Sequence, residues 1–271
     1  DMGDRYLALA TDGVGTKLLV ARAVADYSTV GIDCIAMNVN DLVAGGVTPV
    51  AFVDYLAVNE PDDTVAEQVG AGLRHGAALA DIELIGGETA VMPELISGVD
   101  LAGTCAGFAA HDEVFSGQAC TGDVLVGFPS SGIHSNGLTL ARQAARRSHT
   151  YTDPFPGTEY STVGEALLEP TRIYTDLLPA LHAVDTHACA HITGGGWTNL
   201  SRMGAFRYEV TDPFDPQDIF RFLADEGDIS ATEMHRTFNM GTGFVAAVAP
   251  EDAKKLISAT DDGTIIGTVE T

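Results

Sequence analysis

The chain has 271 residues, of which 45% are hydrophobic, and its 38 acidic against 14 basic side chains give a formal net charge of −24. That balance argues against nucleic acid as a partner, since phosphate backbones are bound by basic patches. The length favours two domains over one, because single cores stop growing beyond roughly 250 residues.

No apolar run approaches the ~18 residues of a membrane span, and the segment DMGDRYLALA has no basic leader. The expectation is a cytoplasmic protein without a membrane partner. Its self-repulsion implies an acidic, halophile-like surface suited to a high-salt cytoplasm, where the Debye length falls to roughly 3 Å at 1 M. Cys34, Cys105, Cys120 and Cys189 are far apart with no CxxC pair. Reduced, buried thiols are expected, with neither a disulfide framework nor a metal cage.

The first half alternates apolar strands with amphipathic helices: a strand at 6–10, a helix over 29–44, a strand at 49–58, a helix over 63–80, and strands at 82–87 and 100–110. A polar, glycine-containing stretch at 111–123 then breaks the periodicity, which sets a domain boundary near 112. Beyond it come a strand at 123–128, a helix from about 136, a Pro-rich loop at 152–158, a helix over 171–184 and a strand at 188–193. A helix after a glycine triplet, helices at 216–225 and 230–237, a strand at 244–249, a helix at 251–259 and a strand at 264–269 complete the order. Strands and helices interleave without strict βαβ repetition, which favours two α+β domains, 1–112 and 113–271.

Several segments carry chemistry. TDGVGTK (11–17) follows a strand and joins Asp12 to Gly13, Gly15, Thr16 and Lys17; glycines let backbone N–H groups approach phosphate, and an adjacent Asp can hold Mg²⁺. An ordinary glycine turn fits equally well. On the helix at 29–44, Asp33, Met37, Asn40 and Asp41 share one face, a set suited to an Mg²⁺-nucleotide or, more simply, to solvent. In LIGGETAVMP (84–93), Glu88 follows a strand and two glycines. The acids Asp12, Asp41 and Glu88 are the candidate metal ligands, expected to converge at a sheet edge.

GFPSSGIHSNGLTLARQ (127–143) reads as strand, small-residue loop and helix, which aims Ser130, Ser131, Ser135, Asn136 and helix N–H groups at an anion. His134 in this loop is either a proton carrier or a packing residue. HITGGGWTN (191–199) repeats the logic with His191 and Gly194, Gly195 and Gly196, a costly triplet unless backbone must approach something closely.

Together TDGVGTK, GIDCIAMNVNDLVAGGVTP, GGETAVMP, SSGIHSNG, HITGGGW and EMHRTFNMGTGF cover nearly the whole chain and resemble, in order, the aminoimidazole ribonucleotide synthetase (phosphoribosylformylglycinamidine cyclo-ligase) family. The resemblance implies a homodimer whose N-terminal sheets join in a central β-barrel. It also implies conversion of formylglycinamidine ribonucleotide to aminoimidazole ribonucleotide with ATP and Mg²⁺, releasing ADP and phosphate. In the implied mechanism the formyl oxygen is phosphorylated to an imidophosphate, and the amidine-derived nitrogen then closes the ring.

By the same resemblance, Asp12, Gly13, Gly15, Thr16, Lys17, Asp33 and Asn40 hold the nucleotide, with Asp41, Glu88 and His134 as catalytic residues. Ser130, Ser131, Ser135, Asn136, His191 and Gly194 to Gly196 would bind the substrate. Two departures stand out. Only ten residues precede TDGVGTK, so the N-terminal domain is expected to lack a segment, and GGETAVMPE carries Val91 and Glu94 where the family pattern has other residues. A small-molecule kinase of the same superfamily and a non-catalytic nucleotide-binding relative are the alternatives.

Overall fold

A computed structural model describes residues 2–271. The elements are, in order, β1 (Arg5–Gly13), α1 (Leu18–Val24), α2 (Val30–Ala44), β2 (Thr48–Val58), α3 (Asp63–Ala80), β3 (Glu83–Val91) and β4 (Val99–Ala110). After the connector at 111–123 follow β5 (Val124–Pro129), α4 (Leu138–Ala145), α5 (Val163–Leu168), α6 (Leu178–His182) and β6 (Thr186–His191). The chain ends with β7 (Arg207–Val210), α7 (Asp218–Gly227), α8 (Ala231–Thr237), β8 (Thr242–Val248), α9 (Ala253–Ser258) and β9 (Thr264–Glu270).

The strands form a four-stranded sheet in the order β1-β4-β2-β3 and a five-stranded sheet in the order β6-β8-β5-β9-β7. In the first, β2 and β3 run parallel across the α3 crossover and the other pairs are antiparallel. Both sheets are open, which corrects the expected barrel: β1 and β3 end the first sheet as edges that do not meet. Closing a barrel around packed side chains takes about eight strands, and this sheet instead buries one face under helices.

That buried face carries Phe52, Leu56, Leu101 and Cys105, packed against Ile35 and Val39 of α2 and Leu73 of α3 in one apolar cluster. Gly31 and Gly72 let the two helices touch, since a Cβ on Gly31 would lie 2.2 Å from the Leu73 nitrogen. The α3 start is fixed by Asp62, whose side chain accepts from the Thr64 and Val65 N–H groups. The opposite face is left bare. Leu7, Leu9, Val53, Tyr55 and Ile85 are exposed there, Leu9 at 66% and Ile85 at 68%.

Three sequence expectations change. The segment 171–174 is irregular, and the predicted helix shrinks to a 3-10 turn followed by α6. The residues after the glycine triplet wind into a 3-10 helix over Gly196–Met203. Cys34, Cys105 and Cys189 are buried free thiols as expected, whereas Cys120 is exposed in the connector.

Candidate active site

Apart from Asp41, the polar face of α2 is buried; it is the wall on which the C-terminal half is mounted. Asp33 Oδ1 accepts from the Thr171 backbone N–H at 2.8 Å and from its hydroxyl at 2.6 Å. Asn40 works in both directions, its Nδ2 donating to the Arg172 carbonyl at 2.8 Å and its Oδ1 accepting from the Tyr174 N–H at 2.9 Å. These bonds explain why 171–174 is not helical: its peptide groups are taken by α2 side chains rather than by a helical ladder.

Lys17 completes this clamp. Its ammonium is fully buried, 2.9 Å from Asp33 Oδ1, and donates to the Glu169 carbonyl at 2.5 Å. Lys17, Asp33 and Asn40, expected on the nucleotide, are therefore occupied in joining the two halves. The neighbouring Glu169 carboxyl is pushed up by burial, an effect that the Lys17 charge opposes.

Two turns beyond Asp33 along α2 the surface opens. Asp41 is about half exposed and lies 3.0 Å from Nδ1 of the buried His191 at the end of β6. Nε2 of His191 contacts Asn40 Nδ2 at 3.4 Å, so the ring is held between adjacent residues of one helix. Met37, on the same face, receives the Asn136 amide on its sulfur at 3.8 Å. A Cβ on Gly194 would lie 3.5 Å from Asn136 Oδ1. Asp41, His191, Asn136 and Gly194 thus converge on the exposed end of the α2 wall.

The Asp12 segment adjoins this corner. Asn38 Nδ2 donates to the Asp12 carbonyl at 3.2 Å, and Asp41 lies three residues beyond Asn38, on the same flank of the helix. Thr16 and Thr139 hydroxyls meet at 3.4 Å, which brings the 13–17 turn to the start of α4. Gly15 adopts a φ of +67° with open space where its side chain would stand. Backbone at this turn is available to an anion.

Glu88 does not join Asp12. The ladders align Asp12 with Gly103, Asp54 and Gly87 in one row, and Gly13 with Ala102, Tyr55 and Glu88 in the next. Adjacent rows point to opposite sheet faces, so Asp12 turns toward the helices and Glu88 toward the bare apolar face. Asp54, which the sequence reading passed over, shares Asp12's face, and burial raises its carboxyl above the ordinary range. The two acids are two strands apart, roughly 10 Å, with the Phe52 ring filling the gap over Gly103.

The 130–137 loop divides into braces and open groups. Ser130 Oγ donates to Asn239 Oδ1 at 2.8 Å, Ser131 Oγ to the Pro170 carbonyl at 2.6 Å, and Asn239 Nδ2 to the Gly132 carbonyl at 2.8 Å. Asn239 is a functional support that sequence reasoning missed; the RTFN motif held it without assigning it a task. Ser135 touches the Thr171 hydroxyl only at 3.4 Å and stays partly exposed with Asn136.

His134 sits inside the loop, fully buried, with a φ of +59° and its Nε2 accepting from the Ser131 N–H at 3.2 Å. Burial holds its pKa well below the ordinary imidazole value, with His191, Lys17 and Arg172 adding to the same effect. It is a neutral internal scaffold of the loop. The glycine triplet also splits by role: Gly194 faces Asn136, Gly195 turns the chain at φ +99°, and Gly196 packs where a Cβ would strike the His235 carbonyl at 2.3 Å.

Among the described residues no helix is long and apolar enough to cross a membrane. A cavity of about 560 Å³ lined by Trp197, Tyr208 and His235 contains none of the converging residues.

Residues 2–109 match the family model described as AIR synthase related protein, N-terminal domain, and residues 121–271 match its C-terminal counterpart. The chain is 48% identical over 271 residues to a phosphoribosylformylglycinamidine cyclo-ligase of Methanosarcina acetivorans, covering 99% of this chain and 81% of that one. It is 49% identical over 259 residues to the protein of the same name in Thermococcus kodakarensis, covering 95% and 76%. Among solved structures, thiamine-monophosphate kinase from Stenotrophomonas maltophilia aligns with a TM-score of 0.73 at 19% identity, over 100% of this chain and 84% of that one. A hydrogenase maturation protein in complex with ATP aligns with a TM-score of 0.70 at 17% identity, over 98% and 77%; at such identities the likeness is one of fold. Two family models spanning both halves, and near-full-length relatives at almost half identity, make the chain a member of the AIR synthase related family of phosphoribosylformylglycinamidine cyclo-ligases.

Proposed function

We propose that this chain converts formylglycinamidine ribonucleotide to aminoimidazole ribonucleotide, consuming ATP and releasing ADP and phosphate, as the name of its relatives describes. The observation that carries the reading is the convergence of Asp41, His191, Asn136 and Gly194 beside the Asp12 turn. An amide oxygen is a poor leaving group, and ATP supplies the phosphoryl group that makes it a good one; the protein's part is positioning and charge neutralisation.

The donor set fits Mg²⁺. Asp12 and Asp41 are exposed carboxylates along the β1–α2 seam, and hard cations take oxygen ligands. Gly13, Gly15 and Thr16 offer backbone and hydroxyl to phosphate, while Ser135, Asn136, Gly194 and Gly195 face the substrate. Ser130 and Ser131, with hydroxyls bonded inward, shape the loop. His134 lies buried inside its loop, and its Nδ1 makes no hydrogen bond within the protein, which leaves one ring nitrogen for a proton carrier's role. His191, also buried, is fixed by Asp41 and Asn40 and orients the Asp41 carboxylate beside the converging groups.

The working unit is a homodimer in the cytoplasm. The exposed row of Leu7, Leu9, Val53, Tyr55 and Ile85 is a large apolar patch for a monomer surface, and pairing of two such faces would cover it. Glu88 lies on that face, so it acts at the interface or upon the neighbouring copy's site. The test is an assay of the purified chain in high KCl with Mg²⁺-ATP and formylglycinamidine ribonucleotide. Equal formation of ADP and aminoimidazole ribonucleotide is expected; ADP without the imidazole would replace this reading with that of a kinase-like relative.

A further inference from the structure

Outside the active site, the connector between the sheets holds a second cluster of reactive side chains. We propose that Cys120, Asp123 and His187 form a binding site for a thiophilic divalent cation of the zinc class, which fastens the connector onto β6. Among the described residues these are the His, Cys, Asp and Glu groups whose ligand atoms, three or more together, lie within 4.8 Å of one another. A nitrogen, a thiolate sulfur and a carboxylate oxygen are the donors zinc takes, and a three-residue set leaves a fourth position for water.

Sequence spacing hides the site, because Cys120 and Asp123 precede β5 while His187 arrives on β6, two strands away across β8. Backbone bonds hold the donors in place beforehand. The Ser116 hydroxyl and the Gly117 N–H both donate to the His187 carbonyl, at 2.7 and 3.1 Å. Gly122 and Val269 bond across the Asp123 turn, and the Cys120 N–H donates to Asp123 Oδ2 at 2.7 Å.

The imidazole has carboxylates on both sides. Its Nδ1 lies 2.8 and 3.0 Å from the oxygens of the nearly buried Asp123, and its Nε2 lies 3.4 Å from the exposed Asp185. A neutral ring has one N–H, so whichever carboxylate receives it, the other faces a ring lone pair; a cation taking the place of the proton at Nδ1 leaves Nε2–H to donate to Asp185. A cation bound by both Nδ1 and Asp123 removes that repulsion. Asp185 is then the outer carboxylate that orients a ligating histidine.

The experiment titrates Co²⁺ into the metal-free, untagged full chain, in high KCl and excess Mg²⁺ so that hard-cation sites and the acidic surface are saturated. One equivalent should bind with thiolate-to-cobalt charge-transfer absorption and tetrahedral visible bands. Cys120→Ala, at an exposed position, should abolish the charge-transfer band and weaken binding at least ~10-fold, and Asp185→Asn should weaken binding while keeping the band. Zn²⁺ should raise the melting temperature of the parent chain and not of Cys120→Ala. No thiolate band in the parent chain, or an unchanged band in Cys120→Ala, overturns the proposal; the first result would leave the imidazole as a doubly protonated bridge between two carboxylates.

Discussion

The Lys17 ammonium and the Asp33 carboxylate meet at 2.9 Å with both side chains wholly excluded from solvent. The lysine comes from the turn after β1, the aspartate from α2, and their remaining partners are Glu169 and Thr171 of the C-terminal half. Removing one partner leaves a buried charge uncompensated, which costs about 3–5 kcal/mol. Lys17→Met should therefore lower unfolding stability by that order in denaturant titrations, and Lys17→Met/Asp33→Leu should recover part of the loss. If Lys17 instead served phosphate, Lys17→Met would raise KM for ATP with stability unchanged.

His134 makes stability depend on pH. Its folded pKa lies below the ordinary 6.5, so the unfolded chain binds a proton that the folded chain refuses. The contribution is complete above that value and is lost as pH falls below it toward the depressed folded value. Replacing His134 with Asn, which tolerates its left-handed backbone, should flatten the stability profile below about pH 6.5, measured by urea unfolding at a series of pH values. A profile unchanged by His134→Asn would contradict the burial argument.

The register of the N-terminal sheet predicts how two defective chains behave when mixed. Asp41→Asn and Glu88→Gln should each lose most activity as homodimers. Because Glu88 points to the face opposite Asp12, mixing and re-equilibrating the two variants should restore activity through hybrid dimers that hold one intact site. Activity absent from the mixture would mean that Glu88 serves its own chain or none.

The glycine triplet supplies a paired comparison. Gly196→Ala meets the His235 carbonyl at 2.3 Å from a φ of +52° and should lower the melting temperature sharply. Gly194→Ala, with only Asn136 Oδ1 at 3.5 Å, should fold normally and raise KM for the ribonucleotide. Equal melting temperatures for the two would refute the division of roles.

The net charge of −24 sets the solution behaviour. Salt that screens like charges should raise stability, so the urea midpoint is expected to increase steadily with KCl into the molar range. A midpoint independent of KCl would remove the case for a high-salt setting.

Much of the architecture is visible in the sequence, for physical reasons that differ between elements. The helices over Val30–Ala44 and Asp63–Ala80 appear at their expected bounds, because a strong 3.6-residue pattern and, for α3, the Asp62 cap mark them locally. The segment at 171–174 reads as helix in the sequence and is irregular in the structure, since its peptide groups are taken by Asn40 and Asp33, more than a hundred residues earlier. The face shared by Asp33, Met37, Asn40 and Asp41 was legible from spacing; that it is buried against another part of the chain was not. Glu88 and Asp12 looked like partners because motif order carries no register, and only strand pairing reveals that they face apart.

The α2 helix has a consequence for how the molecule comes apart. One side of it lies in an apolar cluster that runs from the N-terminal sheet into α4, α5 and α7, and the other is bonded through Asp33, Asn40 and Asp41 to Thr171, Tyr174 and His191. Losing either half strips hydrogen-bonded carboxylate and amide groups from their partners on the other. Heat or denaturant should accordingly dismantle both sheets in one calorimetric transition, with the two halves losing their structure as one cooperative unit.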